Sequence, residues 1–203
     1  VASAELVKTV KKGERKAVLQ AELRKMTFPP RFPLPLGPRF ECSGLRIEKC
    51  KTMDSKKVPL WLVFTNADPV GADLYVIFKC GDDLRQDQLT LQMLRIMERR
   101  WERAGLDLQL SAYLCVATGD ELGFIEVVLN SDTTANITKE YAGGASGAFA
   151  KEPMDLFLRE HNTSKDTYRK AVDTFLVSLP GYCVATYVLG IGDRHNDNVM
   201  LAK

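Results

Sequence analysis

Gly190-Ile191-Gly192-Asp193-Arg194-His195-Asn196-Asp197-Asn198 follows directly on a run of apolar residues and holds two acids, an arginine, a histidine and two carboxamides. Side chains of that kind, crowded behind two glycines, point to a working loop at the end of a helix. The rest of the chain sets the limits within which that loop must act. Its 203 residues are 45% hydrophobic, enough for one large domain or two lobes with a buried core. Lys plus Arg number 28 against 26 Asp plus Glu, a net charge of +2. So even a balance argues against a dedicated nucleic-acid surface. The five cysteines form no Cys-x-x-Cys pair and the two histidines, His161 and His195, lie far apart, which argues against a zinc site and for reduced, intracellular thiols. No apolar run reaches the roughly 18 residues of a spanning helix and no signal-peptide pattern opens the chain, so no transmembrane segment is expected. The sequons at Asn136 and Asn162 are then expected to stay unmodified.

Asp193 and Asn198 stand five positions apart, the interval between the catalytic Asp and the metal-binding Asn of the protein-kinase catalytic loop. In that loop the Asp accepts the proton of the attacking hydroxyl and the Asn holds magnesium on the ATP phosphates. The elements upstream fit the same order. Residues 1–26 are rich in Lys, Glu, Ala and Leu with helical apolar spacing, interrupted at Gly13. The prolines of 28–35 forbid helix and predict a linker. Short apolar runs at 45–50, 60–64, 74–78, 113–116 and 124–128 predict an antiparallel sheet, and Leu89, Met93, Ile96, Met97 and Trp101 put one amphipathic helix over 86–103. Residues 142–147 are glycine-rich and read as a loop. Helices are expected at 153–160, 165–178 and 182–189, the last apolar enough to be buried on every side, with a kink or break at Pro180-Gly181. The expected class is therefore α+β: a two-lobed, protein-kinase-like fold with a small lobe of antiparallel sheet plus one helix and a truncated helical large lobe. Its divisions are a helical lead-in with a Pro-rich linker over 1–39, a small lobe with hinge over 40–128 and a partial large lobe over 129–203.

Two upstream constellations carry chemistry. Val76-Ile77-Phe78-Lys79 ends an apolar strand on a lysine, where a kinase grips the nucleotide phosphates, and Asp87 in the following helix is a candidate to orient it. Asp82 and Asp83 serve equally well as helix caps. The turn at 52–61 contains no glycine, so it is not a glycine-rich phosphate loop; Ser55 and Lys57 can still meet an anion.

Phe78-Lys79-x-Gly81-Asp82-Asp83-Leu84-Arg85-Gln86-Asp87, Tyr182-Cys183-Val184-Ala185-Thr186 and the loop from Gly190 to Asn198 together resemble the catalytic subunit of a class I phosphoinositide 3-kinase, over nearly the whole chain. Met53-Asp54-Ser55-Lys56 and Asn130-Ser131-Asp132-Thr133 lean toward its beta and delta isoforms. The resemblance implies ATP and Mg2+ as cofactors and transfer of the γ-phosphate to the 3-hydroxyl of a phosphatidylinositol. It implies that Ser55 and Lys79 bind phosphates with Lys57 auxiliary, that Glu126 and Val128 offer backbone hydrogen bonds to adenine, and that Met53, Trp61, Ile77, Val127 and Met200 line its pocket. Asp87 and Tyr113 would form the polar back of that pocket, Asn198 would be a magnesium ligand, and Asp193 and His195 would serve the lipid hydroxyl, either being the base. Arg194 would pair with an acid or steady phosphate charge. Partners implied for the parent are a phosphoinositide lipid, an SH2-containing regulatory subunit and a Ras-type GTPase, with a cytoplasmic location recruited peripherally to membranes. The chain ends at Lys203, before the family's Asp-Phe-Gly segment, so alone it is expected to be inactive. Ser178-Leu179-Pro180-Gly181 also departs from the family's Ser-Cys-Ala-Gly. The alternatives are a related protein Ser/Thr kinase, or an inactive fragment that only binds nucleotide.

Overall fold

A computed structural model describes residues 1–141 and 152–203; the glycine-rich loop expected at 142–147 lies outside the described residues. The chain forms two compact units, Val1–Gln92 with Tyr113–Val127 and Met93–Ala112 with Val128–Lys203. Helix and antiparallel sheet are mixed as the α+β, kinase-like class requires.

The first unit is built on a seven-stranded antiparallel sheet in the order β1-β2-β4-β5-β7-β6, with β3 beside β4. Its strands are β1 (Phe32–Leu34), β2 (Gly37–Leu45), β3 (Lys51–Thr52), β4 (Leu60–Asn66), β5 (Leu74–Cys80), β6 (Cys115–Gly119) and β7 (Leu122–Glu126). Along β5 the period of two sends Val76, Phe78 and Cys80 into the core and leaves Tyr75, Ile77 and Lys79 half-buried on the other face. Two helices that the sequence suggested as a lead-in, α1 (Ala2–Thr9) and α2 (Arg15–Arg24), contribute Ala4, Val7, Leu19 and Leu23 to that same core. They are a layer of the unit.

The proline-rich segment, expected as a linker, carries strand β1. Phe32 stands opposite Cys42 of β2, Leu34 is buried, and the Phe32 ring meets Phe28 at 5.1 Å and Phe64 at 6.1 Å. An edge strand needs only one side of its backbone paired, which is where a proline such as Pro33 is tolerated. The strand expected at 45–50 is instead a 3-10 turn, Ile47–Lys49, pinned by the buried Cys50 thiol, which donates to the Arg46 carbonyl and accepts the Val63 N–H, each at 3.4 Å.

Helix α3 (Arg85–Arg103) runs from the first unit into the second. In the second unit α4 (Thr134–Tyr141) and α5 (Pro153–His161) pack Ile137, Phe157 and Leu158 against Tyr168 and Val172 of α6 (Lys165–Leu189). A two-stranded sheet pairs β8 (Ser131–Thr133) with β9 (Met200–Ala202).

Helix α6 corrects two expectations. It continues through Pro180 as one 25-residue element, capped by the Ser164 hydroxyl at 3.1 Å from the Thr167 N–H and ended by Gly190 at φ 63°. Gly181 is what the packing demands here, because a Cβ would stand 2.9 Å from Leu110 Cδ2 and 3.2 Å from Leu108 Cβ. Nor is the last part buried on every side: Val184, Tyr187 and Val188 are 49%, 88% and 63% exposed, and the described residues cover only the side of Gly181 and Ala185. Apolar composition states a need for cover without saying which side receives it. By length and composition alone α6 is also able to cross a membrane, a weak indication because core helices pass the same test.

Candidate functional site

The first unit gathers the expected nucleotide residues on its sheet. Trp61 of β4 stands opposite Ile77 of β5, and Ile77 opposite Ile125 of β7. Directly opposed residues share a face, so Trp61, Ile77 and Lys79 lie together on the face opposite Val76 and Phe78. Val127 extends β7 by donating its N–H to the Tyr75 carbonyl at 3.2 Å. The Glu126 N–H goes to the Leu114 carbonyl and the Leu114 N–H returns to the Glu126 carboxylate, each at 2.8 Å. The Glu126 side chain therefore locks the start of β6, beside Tyr113, and leaves the Leu114 N–H off the Glu126 carbonyl.

The glycine-free turn at 53–58 is closed by its own polar groups. The Met53 N–H donates to the Pro59 carbonyl at 2.8 Å, the Val58 N–H to the Ser55 carbonyl at 3.1 Å, and the Lys57 N–H to the Ser55 hydroxyl at 3.3 Å. Ser55 is exposed at its tip. Lys57, expected as an auxiliary phosphate ligand, instead directs its ammonium to the Gly81 carbonyl at 2.6 Å.

Lys79 also has a partner other than the expected one. Its Nζ lies 3.3 Å from Asp82 Oδ2, both side chains about 30% exposed, whereas Asp87 is exposed in the first turn of α3. Gly81, at φ +91°, folds the chain back so that the acid three residues on meets the lysine. Capping falls to Asp83, which accepts the Arg85 N–H at 3.0 Å and pairs with its guanidinium at 2.7 Å. These Arg85 hydrogen bonds, side chain first and backbone second, hold the Asp83 carboxyl down at about 2.

In the second unit the loop of 190–198 is folded around Asn198. The Asn198 amide donates to the Asp193 carbonyl at 2.7 Å, and its oxygen accepts the His195 N–H at 3.1 Å. Asp193 sits at φ 54°, a left-handed conformation that aspartate tolerates better than most residues and that this bond secures. The Asp197 N–H donates to His195 Nδ1 at 3.2 Å, which places the proton of the neutral ring on Nε2. Arg194 Nε donates to the Gly192 carbonyl at 3.0 Å, a bond within the loop.

From outside, α4 holds the loop. The Asn196 carbonyl accepts the Ala135 N–H at 2.9 Å and the Thr134 hydroxyl at 3.1 Å, and the Thr134 N–H reaches the Val199 carbonyl at 2.9 Å. One turn later Met200 pairs with Thr133 in the small sheet. Sequence reasoning missed Asp82 as the partner of Lys79 and Thr134 as the anchor of the loop; a threonine opening a helix was the available signal for the second.

The donor set is of a kind that suits magnesium. The Asn198 oxygen has a second lone pair beyond the one used by His195, and a hard cation takes oxygen ligands supplemented by phosphate. Among the described residues no group of three or more His, Cys, Asp or Glu is assembled to hold a metal without such help.

A lysine on the face of an antiparallel sheet in the first unit and an Asp-to-Asn loop after a long helix in the second are the chemical features that comparison with known proteins has to place. Residues 73–203 match the Phosphatidylinositol 3- and 4-kinase family, and the chain belongs to it. Phosphatidylinositol 3-kinase 1 of Dictyostelium discoideum is 56% identical over 98% of the chain and 13% of its own length. Phosphatidylinositol 3-kinase 2 of the same organism is 56% identical over 94% of the chain and 10% of its own length. Phosphatidylinositol 4-phosphate 3-kinase C2 domain-containing subunit beta of Homo sapiens is 48% identical over 83% of the chain and 10% of its own length. The chain thus spans a small part of the length of each of these relatives.

Proposed function

We propose that the chain is the catalytic-domain portion of an ATP-dependent phosphatidylinositol 3-kinase of the class I type, transferring the γ-phosphate of ATP to the 3-hydroxyl of phosphatidylinositol or its phosphates. The observation that carries this reading is the loop of 193–198, wound on Asn198 so that the backbone of Asp193 and of His195 is held to its amide and a carboxylate, an imidazole and an amide oxygen share one short segment. Lys79 binds the ATP phosphates with Ser55, and Trp61, Ile77, Met53 and Val127 of the same unit supply apolar surface for adenine. The hydroxyl proton goes to Asp193. His195 is the less suitable acceptor, because its Nδ1 is engaged by the Asp197 N–H and its Nε2 then carries a proton to donate. Asn198 is the residue that would hold Mg2+, which when bound neutralises charge on the phosphates. A lipid substrate requires work at a membrane surface, so we place the enzyme in the cytoplasm with peripheral membrane contact, regulated there by an SH2-containing subunit and a Ras-type GTPase.

The test uses the longest natural polypeptide that carries this chain, with radiolabelled ATP and phosphatidylinositol vesicles. Chromatography of the deacylated product should give label on the 3-position. Label on the 4-position, or on protein alone, would overturn the assignment. Asp193→Asn should lower kcat by about 1,000-fold, and His195→Gln by about 10-fold.

A further inference from the structure

We propose that Lys8, on helix α1, is a positioning residue for Lys79: its ammonium fixes the peptide plane that turns the end of β5, so that α1 becomes part of the phosphate-binding apparatus. The proposal rests on the reading of Lys79 as the phosphate lysine. Lys8 lies outside residues 73–203, the part that the family match covers.

The Lys8 ammonium donates to the Cys80 carbonyl at 3.0 Å and to Glu5 Oε1 at 2.9 Å. The same Glu5 oxygen accepts the Cys80 thiol at 2.8 Å. Burial pushes the Cys80 thiol up, with the Glu5 bond adding to the effect, so the thiol stays protonated and able to donate. Helix α1 is thus fastened to the end of β5 through both the backbone and the side chain of one residue.

The Cys80 carbonyl and the Gly81 N–H belong to one rigid peptide plane. Lys8 holds its oxygen, and the Glu121 carbonyl accepts its N–H at 2.8 Å. The next plane is held by Lys57, whose ammonium meets the Gly81 carbonyl at 2.6 Å. A Cβ on Gly81 would have both ammonium groups beside it, Lys8 Nζ at 3.6 Å and Lys57 Nζ at 3.7 Å. Lys79 and Asp82 pair across this doubly held turn. Freeing either plane lets Gly81, whose φ of +91° few other residues adopt, rotate and carry Asp82 away, so that the Lys79 ammonium loses the partner that fixes its place.

The variants are Lys8→Met, which keeps the apolar stem without the charge, and Lys8→Arg. Amide hydrogen exchange in the 203-residue chain should show Gly81 opening about 10-fold faster in Lys8→Met, while the Val63 and Val76 amides in the middle of the sheet keep their protection. In the longest natural polypeptide that carries the chain, Lys8→Met should raise the KM for ATP about 5-fold with kcat changed less than about 2-fold, and Lys8→Arg should restore both. Exchange at Gly81 within about 2-fold of wild type, or faster exchange with an unchanged KM, would overturn the proposal. If Lys8→Met fails to fold, Glu5→Gln decides: it keeps the ammonium but removes the carboxylate, and should speed Gly81 exchange about 3-fold; no change sinks the clamp. A wild-type protein without ATP-dependent transfer would defeat the kinase reading and the role assigned to Lys8 in ATP binding, and the exchange data would still show whether Lys8 holds the turn.

Discussion

Lys79 and Asp83 show how differently two charges on one turn are employed. Among the described residues Lys79 has one ion-pair partner, Asp82, at 3.3 Å and about 30% exposed. A pair of that kind is worth little in water and is easily exchanged for phosphate oxygens. Lys79→Met is therefore expected to leave the thermal midpoint within about 2 °C of wild type and to cut phosphotransfer at least about 100-fold, measured with radiolabelled ATP. Asp83 is committed to the fold, capping α3 with its carboxyl held at about 2, below the ordinary 3.8. A depressed carboxyl contributes stability above its unfolded pKa and loses it as pH falls toward the folded one. The thermal midpoint of wild type should therefore exceed that of Asp83→Asn above pH of about 4, and the difference should vanish as pH falls toward 2.

At the scale of elements, close approach decides more than propensity. Gly123 of β7 lies opposite Lys79, and a Cβ there would fall 2.4 Å from the Val116 carbonyl oxygen and 2.7 Å from Leu84 Cδ1. Gly123→Ala should cost about 3 kcal/mol in urea unfolding, since backbone and the buried Leu84 would both have to move. Helix α6 presents the opposite case. Pro180 stands inside it without an N–H for the Leu176 carbonyl, and the Ser178 hydroxyl bonds the Phe175 carbonyl nearby. The side chains around Leu176 and Leu179 are about half exposed. Pro180→Ala should raise stability by about 1–3 kcal/mol in the same assay; destabilisation would mean that the helix needs the proline's shape.

The whole chain keeps its thiols apart by burial. Cys42, Cys50, Cys80 and Cys115 are buried and Cys183 is exposed. Desolvation takes Cys42 up to about 11. A thiol reagent at pH of about 8 should modify Cys183 within minutes and the other four only in denaturant; rapid reaction of a second thiol in the folded protein would contradict this burial. By itself the sequence determined the periods of the strands in β4, β5 and β7, the extent of α3 and α5, and the place of the polar loop from Asp193 to Asn198 after a long helix. All of these rest on residues within a turn or two of one another, where spacing alone sets which side chains share a face or meet. Tertiary structure decided that Phe32–Leu34 closes an edge of the sheet, which side of α6 is covered, and that two lysines converge on the turn after Lys79. Lys8 reaches the Cys80 carbonyl across 72 positions and Lys57 the Gly81 carbonyl across 24. No local period encodes such a meeting, because it depends on how the layers pack and on which backbone groups the packing leaves in need of a donor.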